Sequence, residues 1–136
     1  MWNQTMNARA GGTINTCVFV KPDTSHTNQV IQATDGTVPP SGISTDACRL
    51  PPDPNYTSSQ LQAAANAGEI IKVFPVGAVG VSLYCNAAWN PGDLLMSDAS
   101  GYGIVCTTGN YYGARAQGPG TVGALCPVDI VTGLHV

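Results

Sequence analysis

The residues that could do chemistry are few in this chain. Its two histidines are His26, in a polar stretch, and His135, near the end of the sequence. Its five cysteines, an odd number without a CxxC pair, are Cys17, Cys48, Cys85, Cys106 and Cys126. A Cys–His nucleophile needs its base within hydrogen-bond reach, and no nucleophile motif surrounds any of these thiols. The pattern favours loop and tail histidines, with cysteines that fill the core.

Two carboxylates and a glycine pair resemble parts of known sites. Asp93 and Asp98 flank a short apolar segment, as paired carboxylates for acid–base work or for a hard cation would. Each also lies in a turn sequence, NPGD or SDASG, where Asp accepts hydrogen bonds from nearby backbone N–H groups, and we favour this interpretation. Gly101-Tyr102-Gly103 lacks the third glycine and the helix of a dinucleotide-binding loop. We therefore expect no catalytic residue, metal site or cofactor, and a protein that is not an enzyme.

Interaction residues are easier to find than catalytic ones. Tyr111 and Tyr112 lie with Arg115 in a glycine-rich stretch, where aromatic rings on a β scaffold either bind sugars or form a protein contact. We favour the protein contact. Trp2 and Met6 are large apolar residues in a polar N-terminal segment, and a small β-domain has no evident means of covering them. The predicted interaction residues are Trp2, Met6, Tyr111, Tyr112 and Arg115.

The surface predicted from composition is poor in charge. Of the 136 residues, 10% are charged, with five basic and eight acidic side chains, against about 25% charged residues in a usual soluble domain. So few basic residues cannot neutralise many phosphates, so we expect no nucleic-acid partner. There is no run of about 18 apolar residues, so no membrane-spanning helix is expected. A neutral polar surface suits an interface, either in an oligomer or on a larger assembly.

The N-terminal residues 1–12 have no hydrophobic period and end in Gly11-Gly12, which predicts an arm rather than a strand. This segment also lacks the apolar and basic regions of a secretory signal. An unsecreted chain keeps its thiols reduced, so we expect buried cysteines rather than a disulfide framework.

Short strands with frequent turns are predicted over residues 13–136, which we interpret as one domain. Strands are expected at 13–20, 29–33, 43–48, 69–74 and 78–85, with further strands after each turn of the C-terminal half. Residues 50–59 hold three prolines and predict a surface loop, and residues 60–67 are the one short helix candidate. About eight strands in an all-β chain favour a small barrel or a two-sheet sandwich. No internal repeat is evident in the sequence.

The run AGEIIKVFPVGAVGVSLYCNAAWNPGDLLMSDASGYGIVCTT, followed by VGALCPVDIV, resembles the plan of capsid decoration or cement proteins of tailed bacteriophages. The matching pieces are residues 67–73, 79–83, 92–105 and 122–124, and the first half of the chain matches loosely. The resemblance implies a structural protein made in the host cytoplasm and seated on the outer surface of the virion capsid. It also implies binding to the major capsid protein as a homo-oligomer, for which a trimer is favoured and a dimer is the alternative, without catalysis. A lectin-like or adhesin module that binds surface glycans is the alternative.

Overall fold

The computed structural model describes residues 4–45 and 63–136, and these residues form short β-strands and no helix. This confirms the all-β fold predicted from the sequence. The strands are β1 (Met6–Ala10), β2 (Ile14–Asn15), β3 (Phe19–Pro22), β4 (Gln29–Gln32), β5 (Gly42–Ser44), β6 (Ala63–Ala65), β7 (Ile70–Pro75), β8 (Val81–Tyr84), β9 (Leu94–Ser97), β10 (Gly103–Val105), β11 (Tyr111–Tyr112), β12 (Ala114–Ala116), β13 (Leu125–Asp129) and β14 (Gly133–Leu134).

The N-terminal half forms a closed barrel of five strands in the order β1-β4-β3-β5-β7. Strand β1 closes it, because β1 pairs antiparallel with β7 on one side and parallel with β4 on the other. Along β7, Ile71 and Val73 are buried while Ile70 and Lys72 are exposed, the alternation expected of a strand with one face toward a core. The barrel interior is filled by an apolar cluster that includes Val18, Val20, Val30, Ile71 and Val73.

The C-terminal half forms a five-stranded sheet in the order β10-β9-β12-β13-β8. A single parallel bridge between Cys85 and Gly103 brings its two edge strands, β8 and β10, together. The inner face carries Leu83, Leu95 and Val128, each fully buried. The sheet is therefore curled around a second apolar core.

The two halves have the same topology. Strands β1, β3, β4, β5 and β7, which we call the first repeat, correspond in order to β8, β9, β10, β12 and β13, the second repeat. Each strand has the same neighbours in both repeats, and the first-to-third contact is parallel in both while the other contacts are antiparallel. Equivalent cross-strand pairs are Arg9↔Ile70 with Tyr84↔Leu125, Met6↔Val73 with Val81↔Val128, Val20↔Gln32 with Leu95↔Val105, and Ser44↔Val73 with Ala116↔Val128. This internal repeat corrects the expectation that the chain has none.

The turns repeat as well as the strands. After the second strand of each repeat, an aspartate accepts a hydrogen bond from the N–H two residues later, Ser25 to Asp23 at 3.0 Å and Ser100 to Asp98 at 2.8 Å. Backbone with positive φ also recurs, since Asn28 (58°) stands where the second repeat has Gly101 (83°). Cys17 (57°) likewise stands where the second repeat has Gly92 (87°). Positive φ favours glycine, so these two turns involve less backbone strain in the second repeat than in the first.

The repeats are joined through residues 17–19. The Phe19 N–H donates to the Gly101 carbonyl, and the Tyr84 N–H donates to the Cys17 carbonyl, each at 2.9 Å. The Phe19 side chain is fully buried and belongs to the core cluster of the second repeat, together with Ile43 and Ala33 of the first. The outer side of the first repeat is therefore part of the interior of the molecule.

Two local expectations differ from the structure. Residues 6–10, expected within an unstructured arm, form barrel strand β1, because pairing with β7 and β4 satisfies a backbone whose side chains alone have little to bury. Residues 63–65, in the helix candidate, form strand β6, which pairs with β2. The proline-rich residues 50–59 and the start of the helix candidate lie outside the described residues.

Removal of strand β1 tests its place in the barrel. A chain that starts at Thr13 leaves the β7 edge and the β4 edge unpaired and exposes Ile71 and Val73, so we expect no cooperative thermal transition. A chain that starts at Gln4 keeps the strand and should melt like the full-length protein. Circular dichroism melts of both chains check this, and equal melting temperatures would show that β1 contributes nothing to the fold.

A comparison of Phe19 with its counterpart Leu94 measures how much the contact between the two repeats stabilises the fold. Phe19→Ala removes a fully buried ring that packs between the repeats, so we expect a loss of about 3 to 5 kcal/mol in the free energy of unfolding. Leu94 occupies the same place on the half-buried outer face of the second repeat, and Leu94→Ala should cost much less. Chemical denaturation of both variants measures the two losses in the free energy of unfolding. Equal losses would show that Phe19 contributes no more at the contact between the repeats than Leu94 does on the outer face.

Candidate interaction surfaces

The structure places the predicted interaction residues in different parts of the molecule. Trp2 lies outside the described residues. Met6 is in β1, opposite Val73, with 38% of its surface exposed. Tyr111 and Tyr112 form β11, and Arg115 is in β12 of the second sheet. Met6 thus belongs to the first repeat, whereas the tyrosines and the arginine belong to the C-terminal half.

Tyr111 and Tyr112 are held by their surroundings. Strand β11 pairs with β14, and the Tyr111 N–H donates to the carbonyl of Gly36 at 2.7 Å, a contact between the two halves of the chain. A Cβ atom on Gly133 would lie 2.3 Å from the Tyr112 hydroxyl oxygen, so the ring packs closely over that glycine. Both side chains are half-buried. Part of each ring therefore has a structural role, and the remainder faces outward.

Arg115 is the most exposed residue of β12. Its strand neighbours, Ala114 and Ala116, point into the core, and Arg115 lies opposite Leu94 on one side and Asp129 on the other. The carboxylates in the described part of the chain form no ion pair with it.

The aspartates considered as a site are turn residues. The Asp93 carboxylate accepts from the Asn90 N–H at 2.9 Å, and the Asp98 carboxylate accepts from the N–H groups of Ser100 and Tyr102 at 2.8 and 3.0 Å. Their interpretation as turn residues is confirmed. Within residues 4–45 and 63–136, no group of three His, Cys, Asp or Glu residues could hold a metal ion. The same residues include no helix able to span a membrane.

The cysteines of the described chain, Cys17, Cys85, Cys106 and Cys126, are all buried. Burial raises the pKa of the Cys85 thiol, and the neighbouring Cys126 thiol raises it further, while the Ala87 carbonyl, 2.9 Å from the Cys85 sulfur, is its acceptor. Burial also raises the pKa of Cys106. A raised pKa leaves little thiolate at neutral pH, so these groups are poor nucleophiles.

A shallow cleft of about 600 Å³ opens on the first repeat beside the junction of β1 and β4. Its lining includes Arg9, His26, Asn28, Gln29 and Ile70. His26 lies 3.5 Å from the Asp23 carboxylate. Hydrogen bonds from the Ser25 N–H and the Gln29 amide lower the pKa of Asp23, which keeps this carboxylate charged next to the cleft. The cleft is polar with one exposed apolar residue, Ile70, which is 63% exposed.

A second exposed apolar group lies on the opposite half of the molecule. Val122 is 60% exposed and Leu125 is 50% exposed, and Leu125 stands opposite Tyr84 in the β8–β13 pair. The Tyr84 ring contacts the Tyr102 ring, with 4.5 Å between centroids. Tyr102 also packs against the core of the first repeat. The exposed apolar residues here are therefore Val122 and Leu125, which we call the apolar edge.

The fold of this chain has a counterpart among solved structures. No family model and no curated protein matches the sequence. Among solved structures, the chain is similar to the head fiber gp8.5 N base of bacteriophage phi29, with a TM-score of 0.65, over 96% of this chain and 95% of that one. The two sequences are 12% identical, so the likeness is one of fold. It agrees with the resemblance to phage capsid decoration proteins noted in the sequence.

The buried thiols lead to a reactivity prediction. A Cys48→Ser variant keeps only the four cysteines that the structure shows to be buried, so we expect a thiol reagent at pH 8 to modify the native variant slowly. The same variant unfolded in denaturant should react at once. Absorbance with a chromogenic disulfide reagent follows both reactions. Rapid modification of the native variant would place a cysteine at the surface and contradict the burial described above.

Proposed function

We propose that this chain is a structural decoration or cement protein that binds the outer surface of a phage head and stabilises contacts between capsomers. The observation that carries the proposal is the shared fold, over nearly the full length of both chains, with a protein described as the base of a phage head fiber. The sequence resemblance to decoration proteins points the same way. In this proposal the major capsid protein is the partner, and the chain acts without a cofactor.

The physical character of the surface supports this role. Only 10% of the residues are charged, and exposed apolar side chains occur on both repeats. Exposed apolar side chains gain nothing from contact with water, whereas burial against a capsid surface would be favourable for them. Each contact can be modest, because many copies on one particle act together.

A homo-oligomer, trimeric rather than dimeric, is the assembled form that we propose. Oligomers raise the number of capsid contacts per binding unit, which slows dissociation without a stronger single contact. Tyr111, Tyr112 and Arg115 are then contact residues rather than a sugar-binding site. Trp2 and Met6 contribute apolar contacts from the N-terminal end.

The apolar edge gives the sharpest test on capsids. We expect the double variant Val122→Asp, Leu125→Asp to bind heads that lack this protein at least about tenfold more weakly, because a carboxylate would have to lose its water on binding. Val76→Asp is the matched control, since Val76 is 51% exposed and lies outside the apolar edge. Co-sedimentation with purified heads measures bound protein. Equal binding by both variants would exclude the apolar edge from the capsid contact.

The same assay separates the decoration protein from a lectin. Tyr111→Ala, Tyr112→Ala should weaken head binding or self-association if the tyrosines are contact residues. Loss of glycan binding on an array, with heads still fully decorated, would contradict the contact role and favour the adhesin function. Failure of the unaltered protein to sediment with heads would overturn the proposed function itself.

A further inference from the structure

The two repeats meet at one interface within the chain. We call its two sides the gripping face and the receiving edge. The gripping face is the outer side of the first repeat, formed by Phe19, Ile43 and Phe74, which pack against the core of the second repeat. The receiving edge is the junction of the first and third strands of the second repeat, where Tyr84 and Gly101 bind the backbone of residues 17–19. Each surface has an equivalent on the other repeat.

The equivalent of the gripping face lies uncovered on the second repeat. Phe19, Ile43 and Phe74 correspond by register to Leu94, Arg115 and Asp129. Phe19 and Ile43 are fully buried, whereas Arg115 is exposed and Leu94 and Asp129 are half-buried.

The equivalent of the receiving edge lies uncovered on the first repeat. Tyr84 and Gly101 correspond to Arg9 and Asn28, and both of these line the cleft beside β1 and β4. Gly101 is buried beneath residues 17–19, whereas Asn28 is exposed. A single chain therefore leaves the topological counterparts of both surfaces uncovered.

We propose that these two surfaces bind each other between copies of this chain, so that the second repeat of one copy docks onto the cleft of the next. The inference deepens the proposed function, because it names the contact that forms the homo-oligomer. Such a head-to-tail contact makes a ring when the rotation closes and a filament when it does not. A closed trimer would present six repeats around its axis.

Chemical differences between the repeats fit an intermolecular contact. In the first repeat the Arg9 N–H donates to the Asn28 carbonyl at 3.0 Å, which closes the barrel and leaves no opening for an inserted strand. The partner must therefore pack on side chains over the cleft. The docking face carries one positive and one negative group, Arg115 and Asp129. The cleft offers a partner for each, with Arg9 in its lining and the Asp23 carboxylate beside it, bonded to the lining residue Gln29. Apolar residues suit the permanent contact within the chain, whereas charged residues keep the other surface soluble before assembly.

The test uses two variants that each damage one side of the contact. Arg9→Glu reverses the charge at the cleft, and Arg115→Glu reverses the charge on the docking face; both residues are exposed, so the fold should survive. Light scattering after gel filtration gives the mass of each protein. We expect an oligomer for the unaltered chain and for the control Val76→Asp, and monomers for both variants at the same concentration.

Mixing the two variants makes the test specific for a head-to-tail contact. The Arg9→Glu chain keeps an intact docking face and the Arg115→Glu chain keeps an intact cleft, so an equimolar mixture should form dimers and stop there. A symmetric contact would give no dimers in the mixture, and that result would overturn the proposal. A monomeric unaltered chain, or oligomers of either variant alone, would overturn it as well.

Binding to heads is measured separately. An oligomer that forms as described but does not sediment with heads would contradict the proposed function and leave the head-to-tail contact standing. A chain that decorates heads yet keeps its oligomer in both variants would do the reverse.

Discussion

Residues 17–20, which lead into strand β3, are buried on both faces of the chain, and this is the constraint on which the rest of the structure depends. Val20 points into the barrel of the first repeat, and Phe19 points into the core of the second. A segment that is buried on both faces has a continuous run of apolar residues in its sequence, which here is CVFV at residues 17–20. Because the backbone at residues 17–19 also bonds to Tyr84 and Gly101, the two repeats share one segment and are expected to unfold together.

The sequence predicted the elements whose side chains alternate or cluster. The alternation at 78–85 identified β8, and the turns at Asp93 and Asp98 were placed by their Asp and Gly residues. The run predicted as one strand at 13–20 is instead β2 and the start of β3, separated by a turn in which Cys17 has positive φ. Strand β1 was missed because it carries polar and small residues, and its place comes from backbone pairing with β4 and β7 rather than from burial of its own side chains. Strand β6 was missed because three alanines fit a helix as well as a strand.

The internal repeat could not be predicted from the sequence, and the reason is physical. Topology is conserved through backbone pairs and turn geometry, and both tolerate nearly any side chain of suitable size, so equivalent positions hold residues as different as Arg9 and Tyr84. The residues that do agree, such as Asp23 with Asp98 and Gly68 with Gly123, are those that a turn requires. The spacing of these turn residues along the chain differs between the repeats, so the sequence shows little of the repeat. The candidate contact residues likewise depend on surfaces that only the fold brings together.

The repeats differ most where their environments differ. Gly42 in the first repeat corresponds to Ala114 in the second, and a Cβ at Gly42 would lie 2.0 Å from the Phe74 carbonyl oxygen, so the first barrel is drawn in more tightly at this point than its counterpart. Phe74 in turn packs against the second core, whereas its counterpart Asp129 accepts a hydrogen bond from the Gly80 N–H at 3.2 Å at the surface. The outer face of the first repeat is thus apolar and internal, whereas that of the second is charged and accessible. Two copies of one small fold, each too small to bury much alone, become a single unit with a permanent joint and an outer face still free to bind.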